Sequence, residues 1–302
     1  MTAIWVDTDF GFDDLWALLV LRHLGRNVAG VSLVAGNAPL AQVTVNAMGA
    51  KTAYGFDWPV WQGAAKPLKR PLETAERILG PTGIRTRGMV LPKPDTNAPS
   101  EGAVQALANW LLEDTGAERE VLALGPLTNI ALLLQQSPEL ADRITRLIWM
   151  GGSAGKGNHT PLAEYNAFAD ADALAYVLST GIRFDIVDLS FCRKVTFGPK
   201  DMPLTDPLTG DLLGGYLDIA LERGRPAMAI YDPLAALAAA QPDCIGFSPC
   251  AVEVSTKSDE SYGATNVSHV AASKVRLATT AGTNLARLCL SALKREAMDG
   301  PR

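Results

Sequence analysis

Short apolar runs that end in a glycine-bearing loop and give way to a helical stretch recur along this chain. That alternation constrains the fold more than any other feature. Residues 28–34 read as a strand, followed by Ala35, Gly36, Asn37 and Ala38 and a helix over 40–54. Residues 120–124 run into Gly125 to Asn129 and a helix reaching about Gln136; residues 146–150 run into Gly151, Gly152 and Ser153. A helix over 169–179 then precedes a strand over 183–187. The pattern predicts an α/β chain whose central sheet is mostly parallel and flanked by helices, an open sheet of Rossmann-like type.

The remaining segments extend that scheme. Residues 3–6 read as a first strand, 15–24 as the start of an apolar helix, and 58–62 as a short strand. Residues 63–99 break the regularity with recurring Pro, Gly, Lys and Arg, and only a short helix near 72–79 is expected there. Excursions of this length are commonly functional rims or lids, or else flexible decoration. A helix over 100–112 has Ser100 as its cap. Helices are expected over 208–221 and 232–240, strands of a hairpin or meander over 251–255 and 274–278, and a final helix over 282–298. No internal repeat or linker divides the chain, so one domain over 1–302, with an irregular insertion around 63–99, is the expected organisation.

Against that frame the segment VDTDFGFDD stands out. Asp7, Asp9, Asp13 and Asp14 fall within eight residues, at the carboxyl end of the first strand. Open α/β sheets bind ligands at strand carboxyl ends. Crowded carboxylates resist ionising together, and a bound hard cation such as calcium or magnesium removes the conflict. Other polar residues also follow strands: Asn37 after 28–34, the Gly-rich stretch Gly155 to Asn158 with Glu164, Tyr165 and Asn166 beyond Met150, and Asp232 in Ile230–Tyr231–Asp232–Pro233. Strand ends of one parallel sheet converge on one crevice, which predicts an acid- and amide-lined pocket. Of the three histidines, His23 lies in a helix, His159 in the Gly-rich loop near a possible ligand, and His269 in a polar loop.

Composition narrows the alternatives. With 302 residues, 48% of them hydrophobic, the chain builds a sizeable core. The net charge is −5 and Lys and Arg are scattered, without the concentrated basic patch of a nucleic-acid binder. Cys192, Cys244, Cys250 and Cys289 have no short paired spacing and read as reduced cytoplasmic thiols. The first strand begins at once, so no cleaved leader is expected, and no run approaches the roughly 20 apolar residues of a membrane span. A dinucleotide-binding Gly-x-Gly-x-x-Gly, a phosphate-binding Walker sequence and a Gly-x-Ser-x-Gly elbow are all missing.

Taken in order, these motifs resemble the inosine-uridine preferring nucleoside hydrolase family across nearly the whole chain. The Asp-x-Asp-x-x-x-Asp-Asp signature appears as Asp7 to Asp14, Gly-Asn as Gly36–Asn37, and Gly-Pro-Leu-Thr-Asn as Gly125 to Asn129. Met-Gly-Gly, Asn and Glu-x-Asn appear as Met150 to Gly152, Asn158, Glu164 and Asn166, and the late Asp-Pro as Asp232–Pro233. The resemblance implies the nucleoside hydrolase fold and calcium-dependent hydrolysis of the N-glycosidic bond of ribonucleosides. By the same resemblance Asp9, Asp14, Asp232 and the Leu124 carbonyl ligate calcium, and Asp9 is the general base toward water. Asp13, Asn37, Asn158, Glu164 and Asn166 grip the ribose, with Asp14 and Asp232 nearby, and Met150 packs under it. Asp7 braces the loop by accepting backbone hydrogen bonds. A homodimer or homotetramer in the cytoplasm, acting on a small-molecule nucleoside without nucleic acid or membrane, completes the expectation.

The pattern breaks where the leaving base needs help. Relatives place His before the late Asp; here it is Tyr231. A second family His is replaced by Leu79, and the Pro common in the first motif by Phe10. Tyr231 is therefore expected either to stack on the base or to donate a phenolic hydrogen bond, with Asn166 and Asp9 completing the catalytic set. Trp61, His159, Tyr165, Phe168, Tyr216 and Tyr262 are further candidate base contacts. A weak preference for purine nucleosides follows from stacking. The alternatives are a hydrolase of a modified or activated N-riboside, such as a nicotinamide riboside-like compound, and an inactive nucleoside- or ribose-binding protein.

Overall fold

The computed structural model describes residues 3–94, 99–113 and 116–294. Strands β1 (Ile4–Thr8), β2 (Val28–Leu33), β3 (Val60–Gln62) and β4 (Ser100–Glu101) step outward in one direction. The chain then returns to the other side of β1, where β5 (Glu120–Ala123), β6 (Arg146–Met150) and β7 (Phe184–Val187) step the opposite way. A two-stranded antiparallel pair, β8 (Thr196–Phe197) and β9 (Met228–Ala229), stands apart. Strands β10 (Ile245–Val254), β11 (Thr265–His269) and β12 (Val275–Ala281) complete a ten-stranded sheet in the order β11-β10-β12-β7-β6-β5-β1-β2-β3-β4. Neighbours from β4 through β12 run parallel, and β10 and β11 add an antiparallel edge. The strand order reverses between β1 and β5, which opens a crevice at their carboxyl ends.

Every residue of β1, β5 and β6 is buried, as expected of strands covered on both faces. Their side chains alternate between two cores. Ile4, Val6, Leu122 and Ile148 face one, and Trp5, Val121, Leu147 and Trp149 the other. Helices α1 (Phe12–His23) and α2 (Leu40–Tyr54) contribute to the first core. The short α3 (Glu76–Leu79) precedes α4 (Ala103–Leu112) and α5 (Thr128–Gln136), which build the second with α7 (Ala171–Ser179), after α6 (Tyr165–Ala169). Next come α8 (Leu189–Cys192), α9 (Pro207–Leu221), α10 (Asp232–Ala240) and α11 (Leu285–Ser291), all contributing to the first core. Residues Asp232 to Ala239 of α10 are buried, and their small side chains let that helix pack closely between neighbours. No helix of the described residues is long and apolar enough to cross a membrane.

Several boundaries differ from the sequence expectation. Helix α1 begins at Phe12 rather than residue 15, which puts Asp13 and Asp14 in its first turn, where the helix dipole favours carboxylates. Ser100 lies in β4 instead of capping a helix; the residue before α4 is Gly102, at φ +89°. The helix expected over 169–179 is two, because Asp170 breaks away from helical geometry and caps α7 through Ala173 N at 3.0 Å. His269 belongs to the edge strand β11. The hairpin strand expected at 251–255 runs from Ile245, its amphipathic signal diluted by an edge with one face partly solvated. Helix α11 ends at Ser291, and residues 295–298 of the expected final helix lie outside the described residues.

Between β3 and β4 the described chain has one regular element, α3. It is tied down by Arg87, whose guanidinium makes paired 2.7 Å bonds to Asp218 on α9, while Asp211 accepts its N–H at 2.9 Å. Gly215 makes room: a Cβ there would stand 2.4 Å from the Arg85 carbonyl oxygen.

On β7, fully buried Asp185 receives Arg146 Nε at 2.6 Å and Arg276 Nε at 2.6 Å. Breaking such a buried pair leaves uncompensated charge. Asp185→Ala is expected to lower unfolding stability by about 3–5 kcal/mol in chemical denaturation; a loss under 1 kcal/mol, within the range of an exposed pair, would show that the pairs do not anchor the sheet.

Candidate active site

The crevice between β1 and β5 opens into a cavity of about 650 Å³. Asp9 reaches it from the end of β1, Asn37 from beyond β2, Leu124 from beyond β5 and Met150 from the end of β6. Asp13 comes from the first turn of α1, Asp232 from the first residue of α10, and Tyr231 from just before it. Asn158, Glu164 and Asn166 come from the Gly-rich loop and the start of α6. Asp14 lies beside them, fully buried and off the cavity wall. The topology thus brings together residues spread from 9 to 232.

Asp9 is held by the backbone and the side chain of Asn37. Its oxygens accept Asn37 N at 2.8 Å and Asn37 Nδ2 at 3.1 Å. Gly36 allows this approach, since a Cβ at that position would meet Asp9 Oδ2 at 2.1 Å. Asp14 accepts Gly11 N at 2.7 Å, the Thr8 hydroxyl, and Asn37 Nδ2 at 3.4 Å. Tyr216 Oη donates to Asp13 Oδ2 at 3.0 Å. Phe10, buried with φ +40°, donates its N–H to Thr8 Oγ1 at 3.0 Å; a proline ring permits neither.

Burial dominates the electrostatics. It raises the Asp9 pKa well above its ordinary range, and the Asp14 charge adds to the effect. Burial and Asp14 push Asp13 to about 7. Burial also raises Asp14, and burial with Asp13, Asp14 and Asp9 raises Asp232 strongly. Each group is pushed toward its protonated form by burial, and Asp9, Asp13 and Asp232 also by neighbouring carboxylates. The donor set is all oxygen and rich in carboxylate, which fits a hard divalent ion that displaces those protons. Oxygens of Asp13, Asp14 and Asp232 lie within 4.8 Å of one another. Two of these residues, Asp14 and Asp232, belong to the expected Asp9, Asp14 and Asp232 set, and Asn37 donates to both Asp9 oxygens. The Leu124 carbonyl accepts Asn166 Nδ2 at 2.8 Å and keeps a second lone pair.

Asp7 is a brace, held by different partners from those expected. Its Oδ1 accepts the Ser32 hydroxyl and Asn129 Nδ2 (2.8 Å), side chains rather than backbone, while Oδ2 has no partner among the described residues. Burial raises its pKa to about 6, and it lies off the cavity wall.

On the remaining wall, Glu164 spends its oxygens on Gly152 N (2.8 Å), Asn166 N (2.9 Å) and Ala167 N (3.0 Å), and burial pushes it to about 7. Asn158 Oδ1 accepts Tyr165 N at 2.9 Å, leaving its amide N–H groups for a ligand. Asn166 Nδ2 also bonds the Met150 carbonyl at 2.9 Å, so its Oδ1 is the atom left to accept.

Of the candidate base contacts, His159, Tyr165 and Tyr216 line the cavity; Trp61, Phe168 and Tyr262 do not. Trp61 stacks on Trp5 at 5.0 Å. His159 Nε2 lies 2.8 Å from Glu73 Oε1, whereas His23 and His269 are exposed elsewhere. Tyr231 and Leu79 both line the cavity, and burial pushes the Tyr231 phenol to about 12, so it stays neutral. The tie from Tyr216 to Asp13 went unforeseen because it spans 203 positions and depends on how α9 packs.

Comparison with known proteins gives this arrangement its class. A family model described as inosine-uridine preferring nucleoside hydrolase matches residues 4–290. The chain belongs to that family and is an N-glycosidase that hydrolyses ribonucleosides. It is 33% identical over 280 residues to the non-specific ribonucleoside hydrolase RihC of Salmonella agona, covering 88% of this chain and 89% of that protein. The plant nucleoside hydrolase PpNRh1 shares the fold at TM-score 0.87 and 24% identity, over 97% of this chain and 99% of that one. The purine-preferring ribonucleoside hydrolase from Gardnerella vaginalis does so at TM-score 0.85 and 20% identity, over 96% and 98%.

Gly36→Ala is expected to displace the Asp9 carboxylate and lower kcat by roughly a hundredfold, the scale of an ångström-sized misplacement of a reacting group. Steady-state ribose release, with circular dichroism to confirm folding, checks this; wild-type kcat in a folded variant would show that the close approach does not position Asp9.

Proposed function

We propose that this chain acts as one nucleoside hydrolase-like domain over 1–302, with 63–99 as an insertion, releasing ribose and free base from ribonucleosides with calcium bound. The observation that carries the reading is the convergence of Asp9, Asp13, Asp14 and Asp232 on one cavity wall or just behind it, at the sheet's switch point. Asp9, Asp14, Asp232 and the Leu124 carbonyl hold the ion. When bound, calcium supplies a Lewis acid and a fixed positive charge that lower the pKa of water. Asp9 accepts the proton of the attacking water. Asp13, Asn37, Asn158, Glu164 and Asn166 hold the ribose hydroxyls, with Met150 beneath the sugar. The buried carboxylates stabilise positive charge as the sugar becomes oxocarbenium-like.

Tyr231 offers the base an aromatic face, which favours purines weakly. Because neither Tyr231 nor Leu79 supplies an imidazole, a riboside with a good leaving group is a second substrate class that suits this wall. The working form is a cytoplasmic homodimer or homotetramer.

Asp9→Asn is expected to lower kcat by about 10²–10⁴-fold in a folded protein; normal turnover would remove Asp9 as general base. Chelation should abolish ribose release and calcium restore it. In calorimetry Asp9→Asn should weaken calcium binding, whereas Asp13→Asn should bind calcium and raise KM. The reverse ranking would assign the ion to the Asp13, Asp14 and Asp232 trio. Tyr231→Phe should retain purine turnover and Tyr231→Ala lose about tenfold or more, as expected when a stacking ring is removed. Loss in both variants would make the hydroxyl the essential group.

A further inference from the structure

The mouth of the cavity carries cations that the reaction above does not use. Arg77 on α3, Arg193 after α8, and Arg223 and Arg225 between α9 and β9 all line it and are exposed, whereas Asp9 and Asp232 are buried at its floor. The acids at the same rim are engaged. Glu73 Oε1 lies 2.8 Å from His159 Nε2, and Glu76 Oε2 accepts the Thr74 hydroxyl at 2.6 Å. Arg193 is held by the carbonyls of Lys156 (2.6 Å) and Gly157 (2.8 Å). The backbone N–H groups of Arg223 and Arg225 donate to the Ala220 carbonyl, whereas the guanidinium groups of Arg77, Arg223 and Arg225 make no hydrogen bond or ion pair with any described residue. Between floor and mouth, Tyr231, Leu79 and Met228 present an aromatic and apolar surface.

We propose that this site takes ribonucleosides whose base carries an anionic group at neutral pH, a ring carboxylate or equivalent acidic group, and that Arg223 and Arg225 hold that charge at the mouth. The inference rests on the ribohydrolase reading, which places the ribose on the acidic floor and the base toward Tyr231. Guanidinium forks match a planar carboxylate in two parallel hydrogen bonds, which a neutral base does not offer. In the reaction the water oxygen bonds to C1′, the C1′–N bond breaks, its electron pair stays on the base nitrogen, and the water proton passes to Asp9. Where that nitrogen is cationic in the riboside, the pair neutralises it and no proton donor is required. The carboxylate emerges unchanged, so the arginines set specificity.

Nicotinic acid riboside and nicotinamide riboside form a matched pair, differing in a carboxylate against a neutral amide on one ring. With the calcium-loaded full chain, KM for the acid is expected to be lower by about tenfold, the scale of one charge-assisted contact. That ratio should shrink toward one in the Arg223→Gln, Arg225→Gln double variant and at an ionic strength of about 1 M. Calorimetry should likewise show nicotinate binding more tightly than nicotinamide, with the difference lost in the double variant. Equal KM values and equal binding of the two bases, unaffected by the variant, would overturn the assignment and leave the ribohydrolase reading standing. A preference for the 5′-monophosphate of nicotinamide riboside that depends on these arginines would also overturn it, by assigning them to a sugar phosphate. If inosine, uridine and both pyridine ribosides all yield no ribose, the ribohydrolase reading fails, and the nicotinate calorimetry still decides the arginine site.

Discussion

The rest of the structure is arranged around a cluster of buried carboxylates. Asp9, Asp14 and Asp232 are almost completely withdrawn from water; burial pushes each toward protonation, and neighbouring carboxylates add to the effect for Asp9 and Asp232. A protein tolerates such a cluster only by supplying hydrogen bonds or an ion, because an isolated buried charge is costly. Hydrogen bonds meet part of the need: Asn37 serves Asp9, Thr8 and Gly11 serve Asp14, and Tyr216 serves Asp13. The remaining demand is of the kind a hard cation meets in oxygen-rich sites.

The fold makes that crowding possible by topology. Reversal of strand order beside β1 leaves a gap at the carboxyl ends of β1 and β5. Helix α10 brings Asp232 into the gap from the far end of the chain, its small side chains allowing a close seat. Close approach is also written into glycines, since Gly36 leaves space for Asp9 where any side chain would collide. Around this floor the amides are already engaged with the backbone, as with Asn166 on Leu124 and Met150, which fixes which of their atoms face a sugar.

Much of this was legible from sequence for specific reasons. Strands buried on both faces read as continuous apolar runs, so β1, β2, β5, β6 and β7 stood out, and α2 and α10 matched to the residue. Strands of two residues carry no periodic signal, so β8 and β9 did not appear, and Ser100 imitated a helix cap while pairing as β4. The acids could be gathered into one pocket because strand ends of a parallel sheet converge. The finer split between them could not: Asp7 and Asp9 are two residues apart, yet one braces β1 against β2 and α5 while the other faces the cavity.

The sequence by itself determined the class of fold, the family and the oxygen-rich chemistry, because these reside in local periodicity and in motifs of neighbouring residues. Only the tertiary structure decided which groups share a wall: that Tyr216 on α9 supports Asp13, that Trp61 packs away from the cavity, and that Arg77, Arg193, Arg223 and Arg225 meet at its mouth. Those contacts join residues as far as 203 positions apart and follow from how helices seat on the sheet, which no local pattern encodes.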